Sequence, residues 1–175
     1  MSVSNLAQTF QGCSSLTTLD LNKLIPKTLT ASNLMLQGCT SLNSLSGYEE
    51  WNMNSVETIS SMFAGCNKLT SLDLSKWRLL KLQYGEESFL NCSSLSTIVG
   101  LRDLFGNEKD VYAVTQNQEP NEPINTGTVL SVAGMFSGCS NLKLGNDVTN
   151  KCDIRAWGQA LKNVKTLAGL FKNCT

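Results

Sequence analysis

Seven cysteines are the side chains of this 175-residue chain best equipped for chemistry. A thiolate can be a nucleophile, a redox centre or a metal ligand. Six of them, Cys13, Cys39, Cys66, Cys92, Cys139 and Cys174, fall in one slot of a recurring pattern. No CxxC pair occurs, which removes zinc-ribbon spacing, and the absence of histidine removes the commonest general base. A cysteine fixed by repeat position reads as a small buried apolar residue stacked in a column, and a disulfide framework is set aside. Asp20, Asp73 and Asp153 occupy equivalent positions and form a partial row, a conceivable cation or polar-ligand site. Ser46 and Val99 interrupt that row, so solvated surface carboxylates are the simpler reading. Asn107-Glu108-Lys109-Asp110 offers oxygen ligands for calcium without the spacing of a calcium loop, and reads as a flexible loop. Asn91-Cys92-Ser93 and Asn173-Cys174-Thr175 fit the glycosylation pattern. Both lie where other copies carry Gly-Cys, so a structural turn is the better reading. Trp51, Trp77 and Trp157 could stack on sugars, but their fixed place in the pattern favours core packing. With no nucleophile–base pair in view, no catalytic role, cofactor or metal is expected.

The elements that must position these residues are clearest at Met62–Trp77, which reads F-x-G-C-x-x-L-x-x-L-D-L. The skeleton recurs at Phe10, Leu36, Phe63, Phe89, Phe136 and Phe171, each followed by Gly-Cys or Asn-Cys. A fixed period means a stacked array, because one copy cannot bury its apolar face alone. Each copy has three parts. Val56, Ile59, Met62 and Phe63 are spaced as one stripe of a short helix. The Gly-Cys or Asn-Cys pair supplies a residue tolerant of positive φ to end that helix. Leu69, Leu72 and Leu74 then alternate inward and outward as a strand does.

An arm follows, ending in Leu24, Trp51, Trp77, Leu104 or Trp157, with 12 residues to the next Phe or Leu in the first three copies. The second and fourth copies carry one extra residue there and place Gly47 and Gly100 in the last strand position, which predicts a bulge or local turn. From Leu104 to Phe136 the step lengthens to 32 residues. The insert, within about 105–128, is polar and net acidic, holds two of the three prolines, and includes one candidate short strand, Asp110–Thr115. A smaller excursion surrounds Gly145-Asn146-Asp147, after which Cys152 aligns with a core leucine, Leu72.

The expectation is therefore an α/β stack of about six repeats forming a single domain over 1–175. Short parallel strands line one face, short helices the other, and the coil is right-handed. Both ends lie partway through a repeat without polar caps, so the chain reads as a piece of a longer protein, with a swapped or dimeric contact left open. Lys+Arg and Asp+Glu balance at 14 each, which provides no field to draw in nucleic acid or an anionic membrane. No apolar run approaches the ~18 residues of a membrane span, and no signal peptide follows Met1.

At these residues the sequence resembles the BspA-type leucine-rich repeats, most closely bacterial copies built on S-L-x-x-L-D-L-S-x-W and V-x-x-M-x-x-M-F-x-G-C. Residues Trp51 through Trp77 carry the likeness most fully, and it covers the chain apart from 105–128 and the stretch near Asn146. Leu36 for Phe, Gly47, Gly100 and the insert are the departures. The resemblance implies a right-handed leucine-rich-repeat solenoid on a secreted or cell-surface bacterial protein, with no catalytic motif. Its partner would be a protein or glycan on a host, matrix or neighbouring microbe. The candidate contacts are Thr18, Asp20, Ser44, Ser46, Ser71, Asp73 and Thr97 on the strand face, with Val99 beside them. Asn107, Glu108, Asp110, Tyr112, Glu119 and Glu122 join them from the insert. The alternative is a structural spacer that displays other domains.

Overall fold

A computed structural model describes residues 3–105, 128–143, 157 and 160–174. The expected insert between Phe105 and Thr128, its candidate strand, the excursion around Gly145-Asn146-Asp147, and Cys152 and Asp153 after it lie outside the described residues. Four strands come from four successive repeats: β1 (Thr18–Asp20), β2 (Ser44–Ser46), β3 (Ser71–Asp73) and β4 (Thr97–Val99). They pair in parallel with equivalent residues opposite one another, Leu19 against Leu45 and Leu72 against Ile98. The pairing comes in twos: β1 with β2, and β3 with β4.

The expected helices are not there. Among the described residues there is no α-helix, only 3-10 conformation at Leu101–Asp103 and at Trp157, so the helical half of the α/β expectation is corrected. Hydrogen-bond accounting gives the reason. In an α-helix each N–H reaches a carbonyl four residues back within its own segment. Here alternate N–H groups leave the segment: Ile59, Ser61, Phe63 and Gly65 donate to the carbonyls of Tyr84, Glu86, Ser88 and Leu90 in the next repeat, at 2.7–3.0 Å. The intervening N–H groups of Met62, Ala64 and Cys66 fold back three residues, to Ile59, Ser61 and Phe63. The result is a run of overlapping β-turns that is also a rung of a ladder between repeats. Two residues per repeat take positive φ, four apart: Ser61 at 54° and Gly65 at 77° in the third repeat, Glu87 at 55° and Asn91 at 57° in the fourth. Positive φ every fourth residue is incompatible with an α-helix.

The Gly-Cys and Asn-Cys slot thus carries the left-handed residue the sequence indicates, at the end of a turn run rather than of a helix. At its start, single parallel bridges link Asn5, Ala31, Thr58, Tyr84 and Ser131 in one column across five repeats.

Between the turn wall and the strand wall lies the core. Phe63, Phe89, Phe136 and Phe171 stack face to face, with centroids 5.4, 5.2 and 5.4 Å apart and interplanar angles of 7° or less. Leu36, fully buried, holds the same slot one repeat earlier. Trp51, Trp77 and Trp157 are buried too, each donating its indole N–H to a carbonyl of the preceding repeat: Leu24, Tyr48 and Leu101, at 2.8, 3.0 and 2.7 Å. They are core residues, out of reach of a sugar.

Candidate functional surface

The six repeat cysteines are free, and their thiols are built into the stack. Cys39, Cys66, Cys92, Cys139 and Cys174 each donate S–H to the carbonyl of Phe10, Leu36, Phe63, Phe89 or Phe136 in the preceding repeat, at 2.9–3.3 Å. Burial pushes the thiols of Cys66 and Cys139 up to about 12 and that of Cys92 well above its ordinary value. A buried thiol held in the neutral form is a poor nucleophile and a poor metal ligand. Cys13, in the first repeat, is exposed.

Asn91 and Asn173 occupy the left-handed turn position, at φ 57° and 60°, and the Asn91 N–H donates to the Ser137 carbonyl at 2.7 Å. The structural-turn reading of both sequons holds. The carboxylates of the partial row also make turns. Asp20 Oδ1 accepts the Asn22 backbone N–H at 2.8 Å and its Nδ2 at 2.7 Å, and Asp73 Oδ1 accepts the Ser75 N–H at 2.9 Å. Among the described residues no group of three His, Cys, Asp or Glu converges to hold a metal ion.

The strand face is where the candidate contacts meet. In β1 and β2, Thr18 lies opposite Ser44 and Asp20 opposite Ser46; in β3 and β4, Ser71 faces Thr97 and Asp73 faces Val99. The inward residues Leu19, Leu45, Leu72 and Ile98 pack into or against the core, so these eight point outward in two patches. Asn107, Glu108, Asp110, Tyr112, Glu119 and Glu122 lie outside the described residues. Several hydroxyls elsewhere in the stack donate to backbone carbonyls. Thr9 donates to Leu6, Thr30 to Ser4, Thr40 to Ser14, Ser88 to Ile59 and Gly85, and Ser96 to Thr70. Among the described residues, the hydroxyls of Thr18, Ser44, Ser71 and Thr97 have no such partner.

One residue of this surface escaped the sequence reading. Tyr48, almost fully buried between β2 and β3, accepts the Asp73 backbone N–H at its hydroxyl oxygen, 2.8 Å away. Burial pushes its phenol up to about 12. The signal was the extra residue of the second repeat, which brings the Tyr48 ring up against Trp77, edge to face at 5.9 Å.

A family model described as a Mycoplasma protein of unknown function, DUF285, matches residues 4–117. The chain belongs to the DUF285 family. A search of curated proteins found no match to it. Among solved structures, the DUF285 chain is similar to a leucine-rich repeat protein from Bacteroides ovatus ATCC 8483, at 20% identity and a TM-score of 0.39. The alignment covers 81% of this chain and 34% of that one, so the DUF285 chain spans about a third of its length. No helix among the described residues is long and apolar enough to cross a membrane.

Proposed function

We propose that this chain is a non-catalytic binding module of a bacterial surface or secreted protein, of the BspA-like type, wound as a right-handed leucine-rich-repeat solenoid. It recognises a protein or glycan outside the cell through its strand face, with the polar, acidic insert as a second contact. One observation carries the reading. The hydroxyls of Thr18, Ser44, Ser71 and Thr97 stand outward in register on paired strands with no partner among the described residues, whereas Thr30, Thr40, Ser88 and Ser96 donate theirs to carbonyls of the preceding repeat. Small hydroxyls on a fixed backbone suit a polar ligand, because little side-chain freedom is lost when they are engaged.

Binding of the purified chain to glycan and protein arrays tests the proposal, followed by Thr18→Val, Ser44→Ala, Ser71→Ala and Thr97→Val on the ligand found. Combined, these should weaken binding by about tenfold or more, the loss of one to two polar contacts, with an unchanged melting temperature. Removing residues 107–123 should weaken it further. Unaltered affinity in both variants refutes the surface assignment, and a chain that binds nothing on either array is the spacer.

A further inference from the structure

We infer that the stack is built of two-repeat blocks, and that the strand wall between the second and third repeats is a seam that opens about the turn wall as its hinge. The seam is visible in how the two walls cross one junction. On the turn wall, Leu34, Leu36 and Gly38 donate to the carbonyls of Ser60, Met62 and Ala64 at 2.9, 2.8 and 2.8 Å, and the bridge column passes from Ala31 to Thr58. On the strand wall, β2 and β3 are unpaired, although equivalent strands pair on either side.

Gly47 causes the break. At φ 82° it leans onto the first repeat so closely that a Cβ there would lie 2.2 Å from the Asn22 nitrogen. Its N–H turns away from the third repeat to donate to Glu49 Oε2 at 2.7 Å. The next rung is thereby lost, and Tyr48 fills the gap: its hydroxyl receives the Asp73 N–H, and its carbonyl receives the Trp77 indole. Gly100 repeats the device two repeats later, at φ 82° and with a would-be Cβ 2.3 Å from the Ser75 Cα. The residue preceding each anchor alternates with the same period, Lys23, Glu50, Lys76, Asp103, and an exposed ion pair joins Lys76 to Glu50.

The strand face therefore consists of two plates. One carries Thr18, Asp20, Ser44 and Ser46; the other carries Ser71, Asp73, Thr97 and Val99. Opening the seam changes the angle between the plates and leaves the turn wall bonded.

Amide hydrogen exchange on the whole chain tests this without any ligand. The Asp73 amide should exchange about tenfold faster than those of Leu74, Leu36 and Gly38, by a local opening that those three do not share. Tyr48→Phe should accelerate Asp73 by about a further tenfold and leave Leu74 and Leu36 within about twofold. Replacing residues 46–50 with Asp-Leu-Ser-Lys, the sequence pattern of the odd repeats, should slow Asp73 to the rate of Leu74. Equal exchange at Asp73, Leu74 and Leu36 in the unaltered chain overturns the seam, whether or not either variant folds. Uniform acceleration of all four amides by Tyr48→Phe also overturns it.

Discussion

On the turn wall, hydrogen bonds cross every junction from the first repeat to the last described one: Leu6 to Ala31, Ser32 to Thr58, Ile59 to Tyr84, Gly85 to Ser131, Gly134 to Ala168. On the strand wall strand pairing joins the first repeat to the second and the third to the fourth, and between them Tyr48 takes its place. The turn wall also contributes the phenylalanine stack and the thiols. The strand wall contributes single inward leucines or isoleucine and an outward face of small polar residues. Cohesion is concentrated on one side and chemical availability on the other, so substitutions should sort by wall.

The largest effect is expected at the centre of the stack. Phe89→Ala removes a fully buried ring sandwiched between Phe63 and Phe136 and should cost about 3–5 kcal/mol in a urea melt. A cost below about 1 kcal/mol would break the assignment of cohesion to this wall.

Alkali should act on the same wall. In the folded chain Cys66 and Cys139 titrate at about 12 and Cys92 well above its ordinary value, while an unfolded thiol titrates near about 8.5. The unfolded state releases these protons first, so their contribution is complete below about pH 8.5 and lost as pH rises from there towards about 12. Each buried thiol should lower stability by roughly 1.4 kcal/mol per pH unit in that window. Melts at about pH 7 and about pH 10 with equal midpoints would remove the thiols from the account.

A smaller cost attends the turn itself. Gly65→Ala meets no clash, its new Cβ lying 3.7 Å from Gly38, but must hold φ near 77°. It should cost about 1–2 kcal/mol, readable as a shifted denaturation midpoint, and Gly65→Asn about half as much. Smallest of all, Thr18→Val and Ser71→Ala on the strand face should change stability by less than about 0.5 kcal/mol in the same melt. A larger loss there would show that the hydroxyls serve the fold rather than a partner.

The stack, its period and its core were legible because composition repeats where packing repeats. Phe63, Cys66, Leu69, Leu72 and Trp77 are buried in the third repeat, as Phe89, Cys92, Leu95, Ile98 and Leu104 are in the fourth. The helix was misread for a physical reason. Buried positions such as Ser32, Met35, Leu36, Cys39 and Leu42 are spaced three, one, three and three apart, which one face of an α-helix also gives. Overlapping turns with a left-handed residue every fourth position produce the same spacing. Side-chain periodicity reports which residues face inward and does not record where the N–H groups go. Gly134 and Gly169, both at positive φ in the first left-handed slot, were the residues that argued against a helix. The strand-face candidates were legible from alternation alone. Tyr48 was not, because its role depends on a rung that its own repeat fails to make.

The alternation of repeats bears on how such a chain can lengthen or shorten over generations. An odd repeat ends in Leu-Asp-Leu and accepts the glycine of the even repeat that follows, as Leu21-Asn22 accepts Gly47 and Leu74-Ser75 accepts Gly100. Duplicating or excising one repeat would bring two of a kind together, either glycine against glycine or two leucine strands with no turn to separate them. Gain or loss of an adjacent pair preserves every junction. The heritable unit of this architecture is then the doublet, and viable length variants should differ by even numbers of repeats.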